Sequence, residues 1–365
     1  MAEPLKNSFG PEISRKIAKS ISRVHPKFPS KTFLKDALNG YEALELIPRS
    51  RHIACALGTH LPSEYPKAIK ILIDSIGPTL DLTENVGMAP FFYMPHVLYV
   101  SEYGIDHFDL SMQAQYDLTQ RFTAEFSIRA YLMKYPKQTL DLLEKWAADP
   151  SLHVRRLVSE GTRPRLPWAV RLPAFQKDPR PVVKLLAMLK DDPELYVRRS
   201  VANNLNDIGK DNPDVLVDTV RRWQKGASAE RLWLIKHPLR SAIKRGERGA
   251  LEVMGFGKPV KAAIRDVEIT TTKENVKIHF TIANTGTQRQ EMLVDFRIHY
   301  VKANEKTSPK VFKLKTVSLA AKESLRMGKT ISLKEMTTRK HYPGSHRVDV
   351  ILNGKILPIG KFVIK

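Results

Sequence analysis

A short segment occurs twice in the chain, at an offset of 43 residues, and it limits the folds that the sequence can adopt. The first copy runs from Asp149 to Glu160 and the second from Asp192 to Asn203. Asp, Pro, Leu, Val, Arg, Arg and Val recur in register. A weaker third copy contains Arg231. An Asp-Pro pair that opens a helix at a period near 43 is typical of stacked helix pairs of the HEAT or armadillo kind.

The repeat also predicts a polar row on one face. Residues four apart in a helix share a face, so the second arginine of each copy lies beside the residue one turn later. Structural repeats seldom need such a row, which indicates a functional surface. The alternative is a solvated outer side, where charges need no explanation. The row consists of Arg156 and Glu160 in the first copy, Arg199, Asn203 and Asp207 in the second, and Lys236 in the third.

The first copy ends within residues 159–168, Ser-Glu-Gly-Thr-Arg-Pro-Arg-Leu-Pro-Trp, and the part from Thr162 to Trp168 has no counterpart in the second copy. Glu160 lies on the last turn of its predicted helix, where the helix dipole disfavours an acid and Lys or Arg would be usual. Next to it are Arg163, Arg165 and Trp168. We therefore expect a site at this helix end. A helix end with solvated charges and a buried tryptophan is the alternative.

The residues before the repeat predict helices. Phe9, Ile13, Ile17 and Ile21 recur every four residues, as on one helix face. A continuous helix is expected from Gln113 to Tyr135. It would contain Glu125, either as a site residue or in a surface pair with Arg129. Cys55 lies in an apolar helical segment and is expected to be a core residue and not a nucleophile. Because it is the single cysteine of the sequence, an internal disulfide is excluded. The aromatic residues between 78 and 112 are expected to be packing residues or, alternatively, the wall of a binding cleft.

From residue 260 the apolar pattern changes to alternation, as in Val276, Ile278, Phe280 and Ile282, with turn signals such as Asn353-Gly354. Short strands at this spacing predict an immunoglobulin-type sandwich. The expected fold is therefore an all-α, HEAT-like helical repeat superhelix over residues 1–258. A smaller all-β immunoglobulin-like sandwich over residues 259–365 follows it.

Charge and chemistry narrow the function. A net charge of +22 indicates a polyanionic partner, either nucleic acid or an acidic membrane surface. The loop around Arg339 and Lys340 is expected to read phosphate, or else to be a solvated loop. The sequence lacks a Cys-pair or His-Glu-x-x-His metal motif, a Gly-rich phosphate loop and a Gly-x-Ser-x-Gly elbow. Carboxylates without a metal suit cleavage of a glycosidic bond, and an aromatic face can hold a cation.

Three segments resemble the HEAT-like DNA alkylation repair glycosylases, and the AlkC branch in particular. They are residues 121–129 around Glu125, residues 153–168, and residues 196–207 around Asp207. The segment at 44–54 and the immunoglobulin-like tail also resemble AlkC proteins. The resemblance implies a monofunctional glycosylase that excises cationic bases such as 3-methyladenine and 3-methylcytosine from double-stranded DNA, without base flipping. It implies no cofactor and no metal.

The resemblance also implies roles for single residues. Glu125, Glu160 and Asp207 would lie near the deoxyribose, and Trp168 would form an aromatic wall for the lesion. Arg156 and Arg163 would hold the DNA backbone, and the sandwich would be a DNA-binding domain. We expect a monomer that does not bind membranes, located in the cytoplasm and associated with the bacterial nucleoid when on DNA. The further predicted DNA contacts are Arg165, Arg199, Asn203, Lys236, His237, Arg240, Arg339 and Lys340.

A second hypothesis is a non-catalytic helical repeat protein that binds nucleic acid or serves as a scaffold. It predicts salt-dependent binding without base release. Acids among the arginines argue against it, because they weaken affinity for phosphate. A lipid-binding role of the basic tail is not supported, because the sequence predicts no amphipathic basic helix there.

Overall fold

The computed structural model describes residues 5–80, 89–334 and 340–365. The chain forms two compact units, one extending to Pro238 and the other from Leu239 to Lys365. The first unit is helical and the second consists mainly of antiparallel sheets, in agreement with the predicted order of an α part and an immunoglobulin-like part. No helix of the described ranges is both long and apolar enough to cross a bilayer.

Helices α1 to α14 build the first unit, together with short 3-10 turns at Leu5–Ser8, Tyr41–Ala43 and Ala89–Tyr93. The helices are α1 (Pro11–Val24), α2 (Ser30–Leu38), α3 (Leu46–His60), α4 (Tyr65–Asp74), α5 (Met94–Tyr103), α6 (Phe108–Thr119), α7 (Ile128–Lys134), α8 (Pro136–Trp146), α9 (Leu152–Gly161), α10 (Pro173–Lys177), α11 (Arg180–Leu189), α12 (Leu195–Asp211), α13 (Pro213–Gln224) and α14 (Ala229–Lys236).

Helix α1 shows how local sequence sets these elements. Pro11 occupies the first helical turn, where its missing N–H costs nothing, and Glu12 complements the positive end of the dipole. Ile17 and Ile21, from the predicted stripe, are fully buried. Burial of such a side chain contributes about 1.5–3 kcal/mol, so this face anchors the helix.

The sequence repeat corresponds to two helices, α9 and α12, that pack against each other. In each copy the first arginine clasps the turn before its own helix. Nη1 of Arg155 donates to the carbonyls of Asp149 (2.9 Å) and Pro150 (3.0 Å). Nη1 of Arg198 donates to Asp192 (2.6 Å) and Pro193 (2.8 Å) in the same way. The common Asp-Pro and Arg positions therefore have a structural function.

Neighbouring repeats are tied by the same residue types. Arg155 binds the carboxylate of Asp192 through Nε at 2.6 Å, and both side chains are largely buried. Arg231, from the weak third copy, binds Asp191 through Nε at 2.5 Å. The third copy thus preserves an arginine–aspartate link although little of its sequence is common to the others.

The expected continuous helix from Gln113 to Tyr135 is wrong. Helix α6 ends at Thr119 and α7 begins at Ile128, so Glu125 lies in the turn between them. The cause is local: Oγ1 of Thr123 accepts the backbone N–H of Glu125 (3.3 Å) and donates to its carboxylate (2.8 Å). Such side-chain bonds compete with helical hydrogen bonds. Arg129 does not form the expected surface pair either, because it is completely buried.

The expected position of Cys55 is also wrong. Its neighbours Ile53, Ala54, Ala56 and Leu57 are buried, whereas Cys55 is exposed. A run of apolar residues in a helix therefore does not by itself show which of them face the core.

Strands of the described ranges form the sandwich of the second unit. They are β1 (Ala262–Thr271), β2 (Asn275–Asn284), β3 (Gln290–Val301), β4 (Thr307–Leu319), β5 (Ser324–Ser332), β6 (Gly344–Leu352) and β7 (Lys355–Ile364). The three-stranded sheet has the order β1-β2-β5 and the four-stranded sheet the order β4-β3-β6-β7. The alternating residues Val276, Ile278, Phe280 and Ile282 point into the core between the sheets, as predicted.

Two short helices, α15 (Arg240–Arg245) and α16 (Arg248–Val253), group with the sandwich and not with the helical unit. A Cβ added to Gly354, in the turn between β6 and β7, would lie only 2.6 Å from Cδ1 of Leu251. The close contact explains why the division of the chain lies at 238/239, ahead of the border predicted at 258/259. The functional division of the chain stays a prediction.

Candidate active site

Glu160, on the last turn of α9, lies in a polar cluster and is only 5% exposed. Its Oε1 accepts from Nη1 of Arg163 at 2.6 Å, and its Oε2 accepts from Oγ of Ser200 at 2.6 Å. Arg156, one turn earlier, approaches to 3.7 Å. The cation of Arg163 directly after the helix offsets the unfavourable dipole that Glu160 meets there.

Further hydrogen bonds satisfy the end of α9. Nδ2 of Asn204 donates to the carbonyl of Ser159 (2.7 Å) and to Oγ1 of Thr162 (3.0 Å). The hydroxyl of Thr162 in turn donates to the carbonyl of Val158 (2.8 Å). The last carbonyls of a helix have no partner within the helix, so these bonds fix the position from which Glu160 projects.

Glu160 belongs to a row of alternating charges. Nη1 of Arg156 contacts Oε2 of Glu125 at 3.0 Å. Nε of Arg163 donates to Oδ2 of Asp207 at 2.8 Å. The order along the row is Glu125, Arg156, Glu160, Arg163, Asp207 and Lys210, and the last contact is 2.7 Å.

The neighbouring charges of the row shift the pKa values of Glu160 and Arg156. Burial raises the pKa of Glu160, but the charges of Arg156 and Arg163 and the bond from Ser200 lower it further, to a value below the ordinary range. Burial lowers the pKa of Arg156, yet Glu125 and Glu160 raise it above its usual value. Glu160 is therefore a carboxylate at neutral pH, suited to stabilising positive charge and not to donating a proton.

A cavity of about 350 Å³ opens beside this row. Glu125, Glu160 and both arginines, Arg156 and Arg163, line it, whereas the rest of the wall is largely aromatic. A pocket with convergent charges and aromatic walls suits a flat, cationic ligand. The aromatic residues of the wall are Phe91, Phe122, Phe126, Trp168 and Tyr196.

Trp168 has an unusual backbone. Its φ is +64°, in the left-handed region that bulky L residues avoid, and its side chain is 61% exposed at the cavity rim. The buried tryptophan of the alternative interpretation is therefore not observed. Such strain persists only where the surroundings impose it, and it concentrates at functional sites.

Comparisons with known proteins place this geometry in a family. The family model described as "DNA alkylation repair enzyme" matches residues 115–236. The model described as "Uncharacterised protein YhaZ, C-terminal Ig-like domain" matches residues 261–365. The protein YhaZ of Bacillus subtilis (strain 168) is 33% identical over 357 residues, which cover 96% of this chain and 97% of YhaZ.

A solved structure is similar over the full length. It shows the Pseudomonas fluorescens alkylpurine DNA glycosylase AlkC bound to DNA containing an abasic site analog. It superposes with a TM-score of 0.91 at 36% identity and covers 100% of both chains. The chain belongs to the AlkC-type DNA alkylation repair family.

The AlkC-type fold brings together only some of the predicted site residues. Glu125, Glu160, Arg156, Arg163 and Trp168 line the cavity. Asp207 is joined to them through Arg163 but is 1% exposed and is not among the described lining residues.

The predicted DNA contacts other than Arg156 and Arg163 do not line the cavity. Arg165 binds Asp211 through Nε at 2.7 Å. None of the other predicted contacts is found among the described residues of the cavity wall. Arg199, Lys236, Arg240 and Lys340 are exposed, Asn203 and His237 are half-buried, and Arg339 lies outside the described residues.

Sequence reasoning missed several cavity residues of this AlkC-type chain. Tyr196 occupies the repeat position of His153; both line the cavity, and their rings meet edge to face with centroids 6.0 Å apart. The register of the two copies contained this signal. In the aromatic segment, Phe92 and Tyr99 are buried, as the packing expectation predicts, whereas Phe91 lines the cavity and packs on Phe122 with ring centroids 5.1 Å apart. Ser200 had no signal, since its partner Glu160 is distant in sequence.

No group of three or more His, Cys, Asp or Glu side chains forms a metal-binding arrangement within residues 5–80, 89–334 and 340–365.

Proposed function

We propose that the chain is a monofunctional DNA glycosylase that hydrolyses the N-glycosidic bond of cationic alkylated bases in base excision repair. Its substrates would include 3-methyladenine and 3-methylcytosine in double-stranded DNA. One observation carries the proposal: two carboxylates, Glu125 and the buried, ionised Glu160, face an aromatic cavity in a chain of the AlkC type.

Cleavage of a glycosidic bond places positive charge on the sugar. In the transition state, C1′ and the ring oxygen have oxocarbenium character. A fixed carboxylate beside this charge stabilises the transition state more than the substrate, because the charge is still small in the substrate. Glu160 is suited to this role, since its pKa lies below the usual range and it stays ionised.

The leaving group explains why a general acid is not required. A base alkylated on a ring nitrogen already carries a positive charge and leaves as a neutral molecule, without prior protonation. A water molecule then attacks C1′, and the carboxylate of Glu125, at the cavity wall, is placed to accept its proton. The faces of Trp168 and Tyr196 would hold the cationic base before cleavage.

Arg156 and Arg163 have a second role in this scheme. Three carboxylates, Glu125, Glu160 and Asp207, would repel one another, and the guanidinium groups that lie between them offset this repulsion. Both arginines also line the cavity, where their guanidinium groups would contact the DNA backbone around the lesion.

DNA binding is supported by charge and by the family. The net charge of +22 favours association with phosphates. The AlkC structure that superposes on this chain holds DNA with an abasic site analog. We propose that the lesion is reached without base flipping and that the sandwich contributes a DNA-binding surface.

The test is release of free base by purified protein. The Glu160→Gln variant keeps the shape of the side chain and one acceptor oxygen but loses the charge, so we expect single-turnover release of 3-methyladenine to fall by about 100-fold or more. Affinity for DNA with an abasic site analog should change little. Base release is measured by chromatography of methylated DNA incubated without added metal.

A matched control is Asp192→Asn. Asp192 is also a buried acid paired with an arginine between the same two helices, but it does not line the cavity. It should lose stability and retain the rate of base release. Full activity of Glu160→Gln, or an equal loss in both variants, would contradict the proposed role. Salt-dependent DNA binding with no base release by the unaltered chain would favour the non-catalytic hypothesis instead.

A further inference from the structure

The segment between α9 and α10 carries the exposed Trp168 and forms a closed loop. The N–H of Leu172 donates to the carbonyl of Pro164 at 3.2 Å and joins its two arms. Arg163, in the first arm, binds Glu160 and Asp207. The loop thus contributes both a cation and an aromatic side to the cavity, and its position determines where they lie.

Arg129 lies beneath this loop and binds both arms. Its side chain comes from α7 and is 0% exposed. Nη1 donates to the carbonyls of Gly161 (3.1 Å) and Arg163 (2.8 Å), before the tip of the loop. Nε donates to the carbonyl of Val170 (2.7 Å), after the tip. The guanidinium therefore spans the loop on both sides of Trp168.

Two features show that this contact is constrained. Within the described structure, Nη2 of Arg129 is buried without a hydrogen-bond partner, an arrangement that costs free energy. Trp168, between the clamped arms, holds its unfavourable φ. A loop under strain needs an anchor, and the planar fork of an arginine can bind diverging carbonyls that the point charge of a lysine cannot hold together.

We propose that Arg129 is a positioning residue of the active site, which holds the loop so that Arg163 and Trp168 keep their places at the cavity. It does not line the cavity and would act only through the loop. This inference rests on the proposed glycosylase function for its rate measurement. Its structural measurements are independent of that function.

The opposing explanation is that Arg129 only supports the fold. A matched control for this exists in the same unit. Arg49 is also nearly buried, at 7% exposure, and its guanidinium donates to backbone carbonyls. Its acceptors include Leu44 (2.8 Å), Lys6 (2.6 Å) and Glu42 (2.9 Å). Arg49 lies at α3 and does not line the cavity.

The experiment compares Arg129→Lys with Arg49→Lys. Urea unfolding should show that both variants lose stability. At a temperature where both remain folded, only Arg129→Lys should lose single-turnover base release, by about 100-fold, as expected for misplacement by about 1 Å. Retention of the wild-type rate in Arg129→Lys, or an equal loss in Arg49→Lys, would overturn the proposal.

A double-variant cycle tests the route through the loop. If Arg129 acts through Trp168, the rate losses of Arg129→Lys and Trp168→Ala should be non-additive, and the double variant should be about as slow as the slower single variant. Additive losses would show that the two residues act independently and would refute the positioning role.

A measurement on the unaltered chain covers the case in which Arg129→Lys does not fold. The Nε–H signal of Arg129 in a nitrogen-resolved NMR spectrum should shift when DNA with an abasic site analog is added, and that of Arg49 should not. An unchanged Arg129 signal with DNA bound would exclude the proposal. Absence of base release by the unaltered chain would instead refute the glycosylase function and leave this result standing.

Discussion

Trp168 combines two properties that stability alone would not select. A bulky residue at φ +64° is strained, and a tryptophan with 61% of its surface exposed gains little from burial. Left-handed backbone costs an L residue roughly 1–2 kcal/mol, a cost that glycine avoids. The location of the indole at the cavity, and not a gain in stability, therefore accounts for a tryptophan at this position.

We expect Trp168→Gly to be at least as stable as Trp168→Ala, by up to about 1 kcal/mol, because alanine retains the Cβ that makes this φ unfavourable. Both variants should lose base release, since both lack the aromatic wall. Urea unfolding and chromatographic base release give the two quantities. Lower stability of the glycine variant, or normal activity in either, would count against a functional reason for the strain.

The lowered pKa of Glu160 has a consequence for acid stability. Its pKa when unfolded is near 4.5, and the folded value is lower because Arg156 and Arg163 outweigh the opposite effect of burial. Stability from these ion pairs is therefore fully present above about pH 5 and is lost as the pH falls through the folded pKa. Relative to Glu160→Gln, the unaltered chain should lose stability as the pH falls below about 5 and through the lowered folded pKa of Glu160. Urea unfolding of both proteins across this range provides the check; a stability difference independent of pH would contradict it.

At the scale of elements, helices α15 and α16 decide where the second unit begins. They pack at the turn between β6 and β7, where Leu251 is 3% exposed. We expect a fragment of residues 239–365 to be more stable than one of residues 259–365 by about 1–3 kcal/mol, since the shorter one exposes the surface covered by Leu251. Thermal unfolding of the two fragments measures this. In the full chain, Leu251→Ala should destabilise the sandwich. Equal stability of the two fragments together with a neutral Leu251→Ala would favour the predicted border at 258/259.

The elements differ in how far sequence could predict them. The repeated Asp-Pro and Arg-Arg positions predicted α9 and α12, because residues that hold a turn to its helix recur with the helix. Arg156 and Glu160 followed from helical spacing. The contact between Arg163 and Asp207 links residues 44 positions apart, so it depends on packing of helices that spacing within one helix does not reveal.

Where sequence reasoning was wrong, a local effect outweighed the apolar pattern. The spacing around Glu125 fits a helix, but the hydroxyl of Thr123 competes for the backbone and makes a turn. That turn directs Glu125 towards Arg156 of another helix, not towards Arg129. Several residues of the predicted site thus lie together around one cavity, although the local geometry expected for Glu125 was wrong.

At the scale of the whole molecule, positive charge is distributed over both units. Residues 261–365 hold 21 Lys and Arg against 9 Asp and Glu, although they form less than a third of the chain. An excess on the sandwich as well as on the helices is expected if both contact one polyanion. Three of the acids, Glu125, Glu160 and Asp207, belong to the ion-paired row. In the proposed function these acids would face the sugar and not the phosphates.

The arginine clasp of the repeats bears on how such a chain can change over generations. In each Arg-Arg pair, the first member fastens the turn before its helix, so this clasp does not depend on the second member or on the residue one turn later. Glu160 and Asn203 are the residues that the two copies hold at the latter position. A duplicated segment with such a clasp can acquire a new reaction at the other positions while the clasp still holds the turn to its helix. A protein engineer could substitute those positions without removing the clasp.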